Sequence, residues 1–214
     1  MPPTQSCDRK LPAPCPEPVM KLSAWRSLPA EERGPWLVIV GGTLLGLVLL
    51  RLMGRPWWCA CGEWSAWSGT VQSRHNSQHL FDVYSATHVL HGFLFWWGLQ
   101  WVVPPLRERW LLPVAVLLEV VWELAENSPF VIQRYRQATF ALGYEGDAVL
   151  NSLMDMVCAG VGFWIARRLP WTQSITIYVV VELLLVWTIR DNLSLNILML
   201  LVPLPGLKAW QMGG

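Results

Sequence analysis

Charge is scarce in this 214-residue chain: Asp, Glu, Lys and Arg make up 14% of it, and the formal net charge is +1. A soluble domain carries about 25% charged residues, so an ordinary soluble globular fold is excluded. With no basic excess and no stripe of basic and aromatic residues, nucleic acid is excluded as a partner. There is no Gly-x-Ser-x-Gly elbow and no phosphate-cradling glycine loop. Histidine is rare too, at four residues. Three of them, His79, His88 and His91, stand with Asp82 in "QHLFDVYSATHVLHGFLFWW" at 78–97, at the mouth of a long apolar run, and His75 lies just upstream.

What is abundant is apolar surface. Hydrophobic residues reach 53%, and 15 tryptophans are present; indole rings favour bilayer interfaces. A helix needs about 20 apolar residues to cross a bilayer. Runs of that kind extend over 36–53, 83–103, 110–125, 149–165 and 171–189. A further stretch, "LSLNILMLLVPLPGL" from Leu193, is apolar but interrupted by Pro203 and Pro205. The fold class expected is all-α, a polytopic transmembrane helix bundle of about six spans, five clear and the sixth short or re-entrant. The length suggests one domain: a flexible cytoplasmic tail over 1–34, rich in proline and charge, then the bundle over 35–214. No small-x-small cleavage site follows the first run, which therefore reads as a signal anchor.

Lysine and arginine set the orientation. With the N-terminus inside, the inner segments hold ten of the sixteen basic residues, among them Arg107, Arg109, Arg167 and Arg168. The loops at 54–82 and 126–148 then face outward, and nearly every unusual polar residue lies in them or in the adjoining helix turns. Membrane lipids are the expected surroundings.

Within the spans the polar residues fall on stripes. His88 and His91 are three apart, with Asp82 in the entry turn. Glu119, Glu123 and Glu126 recur at one helical spacing, as do Asp147, Asn151 and Asp155. A charged group at the bilayer centre costs about 2.5 to 3.5 kcal/mol on insertion scales. The stripes are therefore expected to face one another inside the bundle, with Arg134 and Arg136 the cations best placed to neutralise them. The candidate catalytic set is His88, His91, Asp82, Glu123 and Asp155. The candidate substrate-binding set is Arg134, Arg136, Glu126, Asn127, Asp147, Asn151, Arg190, Asp191 and Asn192. His88 and His91 with Glu123 or Asp155 form a two-histidine, one-carboxylate set that suits a divalent metal, although H-x-x-H lacks the glutamate of H-E-x-x-H. Metal-free acid–base chemistry, with a carboxylate orienting a histidine, is the alternative. Interhelical polar contacts without chemistry are the structural alternative. An ion pathway would need polar residues continuing to the inner side, and the inner halves offer almost none.

Cys59 and Cys61, in "WWCACGEW", would face the oxidising compartment. A bond between cysteines two apart is strained, so metal binding, a partner thiol and simple burial stay open. Cys7 and Cys15 lie in the tail, and Cys158 in a span. Gly42 and Gly46 read as a small-xxx-small helix contact.

The segments "CACGEWSAWSGTVQSRHNSQHLFDVYSATHVLHGFLF", "WELAENSPFVIQRYR", "GYEGDAVLNSLMDM" and "RDNLSLNILML" resemble an uncharacterised family of proteobacterial multi-pass inner-membrane proteins, over about residues 55–212. That resemblance implies a bacterial inner-membrane location and no particular reaction. A more distant similarity is to VanZ-like membrane proteins. It maps onto Asp82 with His88, Glu123, Arg134 or Arg136, and Asp147 with Asn151; here "LAEN" follows the glutamate where a glutamine is common there. The function expected is chemistry on a lipid or lipid-linked envelope substrate, or a non-catalytic accessory role.

Overall fold

Apolar runs bounded by turn residues become helices with ends within three residues of those expected, except that the first begins at Ala30, inside the segment expected to be tail. A computed structural model describes residues 30–102 and 108–213. The tail up to residue 29, with Cys7 and Cys15, and the loop containing Arg107 lie outside these. Helix α1 spans Ala30–Leu52, α2 Ser85–Val102, α3 Leu111–Glu126, α4 Pro129–Ala138, α5 Val149–Arg168, α6 Trp171–Ile189, α7 Leu193–Leu201 and α8 Pro205–Gln211. A two-residue parallel bridge, β1 (Trp67–Ser68) with β2 (Phe81–Asp82), is the regular structure in the connection between α1 and α2.

Three of these helices are long and apolar enough to cross a membrane: Arg33–Leu52 within α1, α5 and α6. About 20 residues rise about 30 Å, the depth of a bilayer's hydrocarbon core. In α6 the buried residues are Ser174, Glu182 and Leu185, so most of its apolar surface is unpartnered by protein. The stretch from Leu193 is short, as its prolines lead one to expect. Helix α7 has nine residues, about 14 Å at 1.5 Å per residue, less than half the bilayer core. It stops because Val202 precedes a proline, which disfavours helical dihedrals. The connection at 126–148 is also more than a loop. It contains α4, whose start is set by Ser128, accepting from the Val131 amide at 3.3 Å, followed by Pro129.

The bundle is tightest where α2 crosses α5. A Cβ placed on Gly92 would run into the backbone of Ala159, Gly162 and Phe163, and one on Gly162 into the backbone of Val89. The two glycines therefore let the helix backbones touch. Gly42 and Gly46 of α1 face Leu117 and Val120 of α3. The apolar core is divided: Leu50, Val120, Val149 and Met156 form one cluster, and Leu99, Leu111, Ala115 and Phe163 another. At one end of the bundle, where α2 and α5 begin and α3 ends, the interior is polar.

Candidate functional site

The polar interior starts with a cap. Asp82 accepts from the amides of Tyr84 (2.7 Å) and Ser85 (3.2 Å), while Ser85 Oγ accepts from the Asp82 amide (3.1 Å). This reciprocal pair opens α2 in the manner of a capping box. The other Asp82 oxygen accepts from the Ser77 amide at 2.8 Å. Both oxygens serve backbone donors, so Asp82, proposed from sequence as catalytic, here orients the helix that carries the histidines.

One turn further, His88 Nδ1 lies 2.5 Å from Glu119 Oε1, and His91 Nδ1 lies 3.0 Å from Glu119 Oε2. All three residues are buried. An ionised carboxylate only accepts, so an ionised Glu119 takes Nδ1–H from both imidazoles and turns their Nε2 atoms elsewhere. His88 Nε2 faces Asp155 Oδ2 at 3.9 Å, and Ser85 donates to the other Asp155 oxygen at 3.1 Å. Glu123 is fully buried, 3.5 Å from His88 Nδ1, and neither of its oxygens has a hydrogen-bond partner. A buried carboxyl group without hydrogen-bond partners is costly and marks a group kept for something other than stability.

Around this centre lies a knit ring. Asn127 and Asp147 exchange two bonds of 2.7 Å. Tyr144 donates to Asp147 at 2.9 Å, Tyr84 to Asp191 at 3.0 Å, and Tyr135 to Asn196 at 2.9 Å. Burial pushes the Asp147 carboxyl up from its ordinary range, against the lowering effect of Tyr144 and Asn127. The ring and the His88 centre enclose a cavity of about 40 Å³ lined by Asp82, His88, His91, Glu126, Asp147 and Asp155, among others. That is room for roughly three waters. Trp122 lines it too, and also lines a larger apolar groove of about 710 Å³ with Phe130, Arg134, Ile197, Leu200 and Leu201.

The three stripes thus meet, and three sequence expectations change. Arg134 and Arg136 do not neutralise the carboxylates: Arg134 donates to the carbonyls of Leu200 (2.7 Å) and Leu201 (3.2 Å), and Arg136 to that of Tyr144 (2.5 Å). A guanidinium satisfies helix-end carbonyls more cheaply than it enters an apolar interior. Glu119, not Glu123, joins both histidines, because it stands one turn deeper, opposite His91. Its place on the stripe was the signal that could have found it. His79 does not belong to this centre and packs beside His75 (3.3 Å). For a metal, His88, His91 and Glu119 bring ligand atoms within 4.8 Å of one another, as do His88, Glu123 and Glu126; His88, His91 and Glu123 do not form one such group.

Of the remaining candidates, Asn151 donates to the Leu80 carbonyl at 3.5 Å. Arg190 takes a left-handed conformation to end α6 (φ 55) and donates to the Trp210 carbonyl. Asn192 caps α7 through the Leu195 amide at 2.7 Å. Glu182 receives the α7 amides of Leu193 (2.9 Å) and Ser194 (3.1 Å). Asp191 accepts from Tyr84 and Gln211, and burial pushes its carboxyl up to about 6. A carboxyl raised in the fold gives stability that is full below its ordinary value of 3.8 and lost as pH rises through about 6. Asp191→Asn should therefore show a shallower fall in melting temperature than the parent protein between those two values. Parallel melting curves in detergent would refute this.

The comparisons with known proteins agree on a family. The family described as "Protein of unknown function (DUF2585)" matches residues 50–213. Among relatives, the chain is 46% identical over 184 residues to a UPF0314 protein of Sphingopyxis alaskensis, covering 86% of this chain and 97% of that one. It is 47% identical over 189 residues to one of Sinorhizobium fredii (86% and 94%), and 50% identical over 182 residues to one of Rhizobium meliloti (83% and 91%). No solved structure matches. The chain belongs to this uncharacterised family.

Proposed function

We propose that this member of an uncharacterised family is a multi-pass bacterial inner-membrane enzyme performing general acid–base chemistry on the head group of a lipid or lipid-linked envelope substrate. The observation that carries the reading is Glu123, a fully buried carboxylate without a hydrogen-bond partner, 3.5 Å from a histidine that Glu119 holds at 2.5 Å. Glu119 fixes the tautomer and direction of His88, leaving Nε2 as the base, in the logic of a carboxylate–histidine–substrate relay. Asp155 faces that Nε2 at 3.9 Å, and Glu123, 3.5 Å from Nδ1, is the second acid or base beside the ring. The adjoining apolar groove supports a substrate with acyl or isoprenoid chains: Trp122 belongs to both spaces, and Arg134 at the groove suits an anionic head group. The distant VanZ-like resemblance falls on Asp82, His88, Glu123, Asp147 and Asn151 of this region, together with Arg134 or Arg136.

The donor sets around His88 also suit a divalent cation, which would supply Lewis-acid activation of the substrate or of water. In that form His88, His91 and Glu119 would be its ligands, with their Nδ1 atoms turned from hydrogen bonding to coordination.

The site is taken to face outward with the N-terminus inside. The end of the bundle remote from it carries Arg109, Arg167 and Arg168, with Arg109 paired to Glu31 and Arg167 to Glu108. A reporter active only outside the inner membrane is expected to be active when fused after Arg74 and inactive after Arg168. The reverse pattern would overturn the outward placement. The function itself is tested by deleting the gene and profiling envelope lipids and lipid-linked intermediates by mass spectrometry. One species should accumulate and be cleared by the parent protein but not by Glu123→Gln; an unchanged profile would reject the substrate class.

A further inference from the structure

The connection between α1 and α2 carries a second constellation, apart from the His88 centre and independent of the chemistry proposed there. Cys59, Cys61, His75 and His79 each present a ligand atom within 4.8 Å of all the others. Cys59 Sγ is 3.6 Å from His75 Nδ1, and His75 Nδ1 is 3.3 Å from His79 Nε2. We propose that these four residues bind one structural Zn²⁺ in a closed tetrahedral site.

The distances match that geometry. With Zn–S near 2.3 Å and Zn–N near 2.05 Å, the edges of a tetrahedron are about 3.6 Å for S···N and about 3.3 Å for N···N. The spacing is Cys-x-Cys, thirteen residues, then His-x-x-x-His, close to the zinc-finger pattern of paired cysteines followed by paired histidines. Two thiolates and two neutral imidazoles would balance the ion's charge. The turn also treats the sulfurs as acceptors: the Cys61 amide donates to Cys59 Sγ at 3.4 Å, and the Glu63 amide to Cys61 Sγ at 3.4 Å. Gly62, at φ +74, makes that turn possible. Trp58 closes it with a bond to the Glu63 carbonyl, stacks on Trp64 and sets its edge against His79, covering one side of the cluster.

The regular structure of the segment is the two-residue bridge, and its carbonyls at Pro56, Trp57 and Ser77 accept from the amides that begin α5. The residues between the two histidine ligands include Asn76 and Ser77, which line the polar cavity, so the metal would add to what fixes that wall. Ser77 sits at φ 59, donates its amide to Asp82 and accepts at its carbonyl from the Ala148 amide at 2.8 Å. The metal would pin this wall to the beginnings of α2 and α5. Metal binding at such a clip contributes directly to the folded state.

The test uses the full chain purified in detergent. Elemental analysis is expected to find about one zinc per chain, retained in His88→Gln and lost from Cys59→Ser with His75→Ala. Loading the chelated protein with Co²⁺ should produce thiolate-to-cobalt charge-transfer bands and the strong d–d bands of a tetrahedral ion, which needs no variant to fold. Copper in place of zinc, a metal without thiolate bands, zinc that survives the double change, or a Cys59–Cys61 disulfide in a metal-free chain would each overturn the proposal.

Discussion

Replacing Glu123 with glutamine is expected to abolish the protein's function per molecule while leaving its melting temperature unchanged or raised. Both Glu123 oxygens are buried and lack hydrogen-bond partners, so the amide keeps the side chain's shape and breaks no hydrogen bond. Relief of such a group is stabilising at sites where activity depends on it. Loss of a positioned acid or base lowers rate by ~10²–10⁴-fold. Glu119→Gln should lose activity to a similar degree for a different reason. It removes the anion that takes Nδ1–H from both His88 (2.5 Å) and His91 (3.0 Å). Its stability cost stays modest, at about 0.6 kcal/mol per intramembrane hydrogen bond. The pair is read by rescue of a deletion strain at matched protein level, alongside thermal unfolding in detergent. If the buried polar groups only join helices, rescue per molecule will be intact and stability will fall. Full rescue by Glu123→Gln would remove the acid–base reading altogether.

The second large effect is on folding. Gly162→Val should destabilise the bundle by on the order of 3 kcal/mol or more, because overpacked sites that cannot relax lie at the upper end of mutational costs. Here the added atoms meet the backbone of Val89, which no rotamer change can move aside. Gly92→Val should behave alike against Ala159 and Phe163. Gly160, two positions from Gly162 on the same helix, is the control. A Cβ there meets nothing within 4 Å, so Gly160→Ala should be neutral or stabilising by up to about 1 kcal/mol, the helix preference of alanine over glycine. Size-exclusion of heated detergent samples measures all three. Equal melting temperatures for Gly162→Val and Gly160→Ala would show that α2 and α5 are not in backbone contact.

Much of this architecture was legible in the sequence because it is local. A run of apolar residues ends where proline, glycine or charge ends it, and α5 and α6 begin and α6 ends where the composition changes. The stripes of Glu119, Glu123 and Glu126, and of Asp147, Asn151 and Asp155, follow from helical repeat alone. Pro203 likewise announced that the stretch from Leu193 would be cut short. Which groups on the stripes meet was not legible. That depends on the rotation and depth of one helix against another, and Gly92 and Gly162 set both through backbone contact across 70 residues of sequence. Glu119 therefore takes both histidines and leaves Glu123 unpartnered, although the two glutamates look equivalent on the stripe. Arg134 and Arg136 looked like counter-ions until the ends of neighbouring segments offered them carbonyls. The four residues around Cys59 carried a readable spacing, but only the folding of the loop brought sulfur and nitrogen to tetrahedral distances. Local periodicity determines which face a side chain shares; contacts between faces are non-local, and the packed backbone decides them.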